Sequence, residues 1–283
     1  MAENLTENLV KAVAVDYVEQ FGRQMRSLTE LLGAYDPIAL PIGSVLKTYT
    51  SKVTLAGGVV PKGDLIPLSE VEMEDGPTYE LVYDKRRKAV AAEDIQKYGF
   101  ERAIAMTDEA LIKELHKGIR TKLVANLSGA TGTATGAGLQ ASLANAWGKV
   151  QTAFEDDAVN LVAFVNPEDA ADYLGRAEIS TQTMFGMKYV ENFLGVDLVF
   201  INSQITKGTA FVTAANNLKV AYANVRGEMS KAFPFITDST GIIGILHDVN
   251  ASHLTAETVT LSATVMFAER LDGVVKATIT PIV

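Results

Sequence analysis

The chain has 283 residues, which is enough for about two domains with a sizeable buried core. Its hydrophobic content of 48% argues against wholesale disorder, and its net charge of −9 argues against a protein that neutralises phosphates over a broad surface. The absence of cysteine excludes disulfides, thiolate zinc sites and cysteine catalysis. The amino terminus lacks a secretory pattern and no charge-free stretch reaches membrane-spanning length, so we expect a soluble protein, intracellular when made, with no membrane partner.

The amino-terminal segment carries an apolar stripe at mostly four-residue spacing, which is typical of an amphipathic helix. Its members are Leu5, Leu9, Val13, Tyr17, Phe21, Met25, Leu28 and Leu32. The segment is expected either to dock as a helix or to become ordered only on contact with neighbouring copies. Pro37 and Pro41 then forbid a helix and predict an extended connector.

The next segment predicts a long two-stranded ribbon. Residues 45–55 are rich in β-branched and aromatic residues, and the glycine and proline clusters at 57–64 reverse the chain. A returning strand is predicted over 68–74, a second turn at 75–77, and a further strand over 78–83. A two-stranded ribbon of this length is marginal alone in water, so we expect it to lie across another copy of the chain.

Charge is distributed unevenly along this ribbon. Because side chains alternate along a strand, Glu70, Glu72 and Glu74 share one face. The ribbon runs towards a basic cluster composed of Lys85, Arg86, Arg87 and Lys88. These residues are the candidate subunit interface, with the acidic and basic blocks pairing between copies, and the equal alternative is that both are solvated faces.

The remainder of the chain mixes helices and strands, which indicates an α+β or α/β protein. Thr107 is the expected N-cap of a long helix, and the small residues of 128–136 predict a loop after it. A helix over 139–154 precedes a buried strand at 161–165, and Asn166 is the expected cap of a short helix that ends near Gly175. Strands follow at 196–201, 209–213 and 218–222, and strands near 241–246, 258–267 and 274–279 are expected to return to earlier elements, leaving the middle as an insertion.

Candidate catalytic and binding motifs are weak. Gly136–Ala141 matches a dinucleotide-binding pattern, but the expected loop before it provides no preceding strand. His116 is expected to be a solvated helix residue, and His247 and His253 to lie in a polar turn between strands. Glu155, Asp156 and Asp157 lie in an expected loop without a positioned partner. We therefore predict no catalytic residue, metal site or cofactor, and no enzymatic activity.

In order and spacing, the elements resemble the major capsid (major head) proteins of tailed bacteriophages with the HK97-type fold, and those of siphophages in particular. The resemblance rests on the amino-terminal arm, the ribbon with its basic end at 85–90, the long helix, and the strand-to-helix step at 161–167. Segments 98–100, 181–186 and 214–218 are also similar. No single motif among them is diagnostic.

The resemblance implies an α+β, HK97-like fold with the following division: an N-arm at 1–33, a connector and E-loop at 34–90, a peripheral domain at 91–135 with 240–283, and an axial domain at 136–239. It implies a structural protein that assembles with itself into hexamers and pentamers of an icosahedral phage head enclosing double-stranded DNA. The protein would be made in the host cytoplasm and located in the virion. A portal and a separate scaffolding protein are the other implied partners. Lys–Asn cross-links occur in some relatives, but no such pair is assigned here.

Two alternatives remain at this level. The first keeps the fold and makes the chain an encapsulin-like nanocompartment shell that encloses a cargo enzyme. The second is a nucleotide-dependent enzyme that uses Gly136–Ala141.

Overall fold

The computed structural model describes eight stretches of the chain: residues 18–28, 37–154, 160–175, 181–184, 187–193, 195–226, 228–237 and 239–282. Within them the helices are α1 (residues 18–28), α2 (Ala92–Tyr98), α3 (Phe100–Leu127), α4 (Gly138–Ala153), α5 (Pro167–Leu174) and α6 (Glu228–Ala232), with a 3₁₀ turn at Ala215–Asn217. The strands of the first half are β1 (Ile38–Ala39), β2 (Val45–Thr54), β3 (Glu70–Glu80), β4 (Asp84–Ala91), β5 (Gly132–Ala137), β6 (Leu161–Val165), β7 (Gln182–Met184) and β8 (Met187–Phe193). Those of the second half are β9 (Val196–Ile201), β10 (Thr209–Ala214), β11 (Leu218–Tyr222), β12 (Ile236–Thr237), β13 (Ile243–Asn250), β14 (Thr255–Ser262), β15 (Thr264–Ala268) and β16 (Val274–Thr280).

A seven-stranded sheet in the order β5-β16-β10-β6-β9-β8-β7 forms the centre of the described chain. Side chains alternate between its two faces, as β6 illustrates. Val162 and Phe164 belong to the core that contains α1 and α3, whereas Leu161, Ala163 and Val165 belong to the core that contains α4. Every residue of β6 is fully buried, which explains why this strand reads as a continuous apolar run.

Helix α3 is the longest of the described helices, and at 1.5 Å per residue it spans about 42 Å. It begins at Phe100, so the prediction that it starts at Thr107 is wrong. Gly99 has a φ of +83°, which ends α2, and the next helical turns bury Ala103 and Ile104 against β4. Thr107 lies inside the helix, where its hydroxyl donates to the carbonyl of Ala103.

The predicted loop at 128–136 is also wrong over most of its length, because residues 132–137 form β5. This strand of small residues pairs in parallel with β16, with Gly132 opposite Val275 and Ala137 opposite Thr280. Its strand conformation depends on that distant partner. The glycines and threonines of residues 132–137 therefore do not predict a strand when they are considered without β16.

Several local predictions are confirmed. The helix expected over 139–154 is α4, and the short helix after β6 is α5, with the Asn166 side chain accepting a hydrogen bond from the Glu168 backbone amide at 2.8 Å. Residues 18–28 dock on the body through buried Val18, Phe21 and Met25, while the rest of the amino-terminal stripe lies outside the described residues.

The domain division remains a prediction, and the central sheet links segments on both sides of it. β16 belongs to 240–283 and pairs with β10 of 136–239, while most of β5 belongs to 91–135. Among the described residues, no helix is both long and apolar enough to span a membrane.

Candidate inter-subunit surface

The ribbon predicted from the sequence consists of β2 and β3, paired antiparallel from Val45 opposite Glu80 to Thr54 opposite Glu70. The predicted turn at Asp75–Pro77 is wrong, because these residues continue β3. The register shifts between Lys47 and Tyr49, so Gly76 and Pro77 of β3 form a bulge opposite Thr48 of β2. The bulge accommodates Gly76 and Pro77, so β3 continues on both sides of them.

Gly76 is needed at this bulge. A Cβ atom at Gly76 would lie 2.4 Å from Thr48 Oγ1 and 2.9 Å from the Thr48 carbonyl oxygen. The Thr48 hydroxyl donates to the Pro77 carbonyl at 3.1 Å and ties the two strands together at this point.

The tip of the ribbon, residues 55–69, contains no strand and exposes large apolar side chains. Val59 is 99% exposed, Leu65 92% and Leu68 93%. The two ends of the tip meet where the Ala56 amide donates to the Ser69 hydroxyl at 3.2 Å. No apolar residue of the described chain covers this cluster, which is unusual for side chains of this size at a loop tip.

The root of the ribbon, by contrast, is firmly attached to the body. Tyr79 and Leu81 are buried, and the Tyr79 ring lies 4.7 Å from that of Phe267. The Leu81 amide donates to the Ser44 carbonyl, and the Leu81 carbonyl accepts from the Gly43 amide. The ribbon therefore projects from a fixed base.

The predicted acidic face is present and exposed along β3. Glu70, Glu72 and Glu74 all lie in solvent, and so do Val71 and Met73 between them. Both faces of the outer ribbon are thus open, and this exposure places the predicted acidic face where a second molecule has access to it.

The predicted basic cluster lies on β4, outside the ribbon, where β4 pairs with β14 in the four-stranded sheet β12-β13-β14-β4. Alternation along the strand divides it. Arg87 points away from α3 and forms a bidentate pair with Glu257, with Nε 2.8 Å from Oε2. This contact lowers the pKa of the Glu257 carboxyl group. Arg86 binds Asp84, with 2.7 Å between Nε and Oδ1.

Lys88 is directed into the body and contacts the carboxylate of Asp108 on α3, with side-chain exposures of 12% and 8%. Burial lowers the pKa of the Lys88 ammonium group, and the Asp108 contact partly raises it again. Within the described chain, the cluster's ion pairs are made to Asp84, Asp108 and Glu257 and not to the ribbon glutamates. Lys85 is exposed on β4 and has no ion pair among the described residues.

The Gly136–Ala141 segment also differs from expectation. Contrary to the prediction, a strand does precede the Gly136–Ala141 glycines. However, a Cβ atom at Gly136 would lie 2.3 Å from the Ser142 amide nitrogen, so β5 and α4 pack backbone to backbone there. The Gly136 carbonyl accepts hydrogen bonds from Ser142 Oγ and Thr280 Oγ1, both at 2.9 Å. These glycines serve close packing.

The histidines also differ from expectation. His116 is buried instead of solvated, with its ring 5.3 Å from that of Phe21, and burial lowers its pKa to about 4. His247 lies on β13, and only His253 lies in the turn. No group of three potential metal-binding side chains occurs in the described part of the chain. Residues 155–157 lie outside it.

No protein-family model matches the chain, and a search of curated proteins gives no match. Solved structures do share its fold. They include the capsid of a native GTA particle, with a TM-score of 0.57 and 9% identity over 89% of this chain and 90% of that one. The procapsid of satellite phage P4 gives a TM-score of 0.52 and 10% identity over 93% and 92%.

A third structure is the SrpI encapsulin from Synechococcus elongatus, with a TM-score of 0.51 and 12% identity over 89% of this chain and 86% of that one. These matches cover 89–93% of this chain, and at such low identity they show a shared fold alone. The chain therefore has the HK97-type fold, and the α+β fold class predicted from the sequence is confirmed.

Proposed function

We propose that this protein is the major capsid protein of a tailed bacteriophage. In this function it assembles with itself into the hexamers and pentamers of an icosahedral head that encloses double-stranded DNA. Its role is structural and involves no catalysis. The fold shared with capsid and procapsid structures supports the proposal. The main supporting observation is the ribbon, whose apolar tip is exposed.

The ribbon supports self-assembly because its apolar tip is exposed while its root is fixed. Burying apolar surface contributes about 25 cal/mol per Å², so side chains such as Val59, Leu65 and Leu68 favour association strongly when they are covered. A partner that is always present at high local concentration is a second copy of the chain. Repetition of such a contact around a closed ring fixes the register of the assembly.

We further propose the division into N-arm, E-loop, peripheral domain and axial domain given above. The interface would use Glu70, Glu72 and Glu74 together with the basic cluster of β4, whose exposed members are Lys85, Arg86 and Arg87 and whose fourth member is the half-buried Lys88. A scaffolding protein and a portal are the other proposed partners. With a net charge of −9, the protein would enclose DNA without sequence-specific binding. It would be made in the host cytoplasm and end in the virion.

Deletion of residues 57–68 tests the proposal. Ala56 and Ser69 are already in contact, so the deletion joins ends that lie close together and should leave the body intact. We expect a soluble subunit with unchanged circular dichroism and thermal unfolding that no longer forms closed particles in negative-stain microscopy. Normal particles from the deleted chain would contradict the proposed role of the ribbon.

A substitution variant separates tip chemistry from tip length. Leu65→Ser together with Leu68→Ser keeps the length of the tip and removes two of its apolar side chains, so we expect weakened assembly.

The contents of wild-type particles distinguish the alternative of a nanocompartment shell. Enclosed DNA favours a phage head, whereas a single enclosed enzyme favours the nanocompartment shell. A protein that stays monomeric under all scaffold and solvent conditions would overturn both.

A further inference from the structure

A row of buried and half-buried polar side chains lies between the four-stranded sheet and α3. Lys88 on β4 is directly opposite Thr258 on β14, and Thr258 is directly opposite His247 on β13. Residues directly opposite one another in antiparallel strands project from the same face. The three side chains therefore form one line across the sheet, and Asp108 of α3 contacts the Lys88 end of that line.

The Lys88 end of the row is fully occupied. Its ammonium group contacts Asp108 and donates to Thr107 Oγ1 at 2.6 Å and to the Ile104 carbonyl at 3.3 Å. All three partners belong to α3. This group therefore joins α3 to β4, the strand through which the chain returns from the ribbon to the body.

The His247 end is incompletely bonded. Its Nδ1 lies 3.1 Å from Thr258 Oγ1, while its Nε2 is buried and has no hydrogen-bond partner among the described residues. A protonated imidazole carries two N–H donors, so Nε2–H would have no acceptor in this position. An unsatisfied donor that is also charged is costly to bury.

The surrounding charges act in opposite directions. Lys88 from β4 disfavours the protonated ring, Asp108 from α3 favours it, and β14 contributes only the neutral Thr258. Burial is the largest influence, and it lowers the pKa of His247 below its ordinary value of 6.5. The unfolded chain therefore takes up this proton before the folded chain does. Stability from the neutral ring is complete above pH 6.5 and declines as the pH falls below it.

We propose that the Lys88–Thr258–His247 row is an acid-sensitive joint between the ribbon's return strand and α3. At neutral pH the joint contains the Lys88–Asp108 ion pair and the neutral His247 ring. In acid, protonation of His247 adds a second positive charge to the row that contains Lys88. The contact between the four-stranded sheet and α3 then opens, while the seven-stranded sheet keeps its structure. This property belongs to the single chain and does not depend on the proposed function.

Hydrogen–deuterium exchange of the full-length protein at about pH 7.5 and about pH 5 tests the joint, with labelling times scaled for the pH dependence of chemical exchange. We expect peptides covering β4 and β13 to lose about tenfold in protection at the lower pH, while peptides covering β6 keep theirs. Equal protection of β4 in wild-type protein at both pH values would overturn the proposal without any variant.

Two matched variants assign the effect to this row. His247→Gln keeps a polar side chain without the titration and should remove the acid-induced loss in β4. His116→Gln alters a buried histidine, which lies against α1, and should leave the β4 response as in wild type. A β4 response that persists in His247→Gln, or disappears in His116→Gln, would place the titrating group outside the row.

Discussion

The seven-stranded sheet and the ribbon differ in how far their strands are covered by other parts of the chain. The sheet is enclosed by cores on both faces, and its β5 edge is also covered. From α4, Asn145 donates to the Thr135 carbonyl at 2.8 Å and Lys149 donates to the Thr133 carbonyl. Among the described residues, the ribbon's strands pair only with each other, and none covers its tip. Free edges invite pairing with another chain, so the ribbon is where association is expected.

We therefore expect the stability of the subunit and its proposed assembly to depend on separate parts of the chain. Substitutions in the sheet should alter the free energy of unfolding of the subunit. Substitutions in the outer ribbon should alter particle formation with little effect on unfolding.

The largest expected difference is between Phe164→Ala and Leu65→Ala. Phe164 is fully buried and lies 5.5 Å from the Phe200 ring, so its truncation should lower the free energy of unfolding by about 3–5 kcal/mol. Leu65→Ala should change it by no more than about 0.5 kcal/mol. Urea unfolding of the unassembled subunits measures both. A comparable loss from both substitutions would refute the separation.

A smaller contrast involves two glycines. At Gly136 a Cβ atom would meet the backbone of α4, whereas at Gly58 it would meet nothing within 4 Å. Gly136→Ala should therefore destabilise the subunit by about 1–3 kcal/mol, because β5 and α4 must move apart. Gly58→Ala should be neutral within about 0.5 kcal/mol. Thermal unfolding of the two variants makes the comparison, and a neutral Gly136→Ala would show that the β5–α4 contact is looser than described.

The smallest expected effect concerns the exposed charge of Lys85. Lys85→Glu should leave subunit stability unchanged and weaken assembly, because it places a negative charge where the ribbon glutamates of a neighbour are proposed to lie. Each exposed pair contributes only about 0–1 kcal/mol. The defect should be larger in low salt than in high salt, since salt screens the repulsion. Light scattering across a salt series measures it, and a salt-independent defect would indicate impaired folding.

Prediction from the sequence was most successful where structure depends on near neighbours. Asn166 followed by Pro167 specified the start of α5 through a side-chain cap, and the alternation of Glu70, Glu72 and Glu74 specified a shared strand face. It failed at β5, because the strand conformation of Gly132–Ala137 is imposed by β16, more than a hundred residues away in the chain.

The sequence by itself determined the mixture of helices and strands, the ribbon, and the order of elements that resembles the HK97-type fold, because periodicity, caps and turns are local properties of the chain. Only the tertiary structure decided the partners of the basic cluster. Adjacent residues on β4 point to opposite faces, so Arg87 meets Glu257 on one face while Lys88 meets Asp108 on the other. Ion pairs between residues distant in sequence depend on strand register and helix packing, and a run of four basic residues specifies neither.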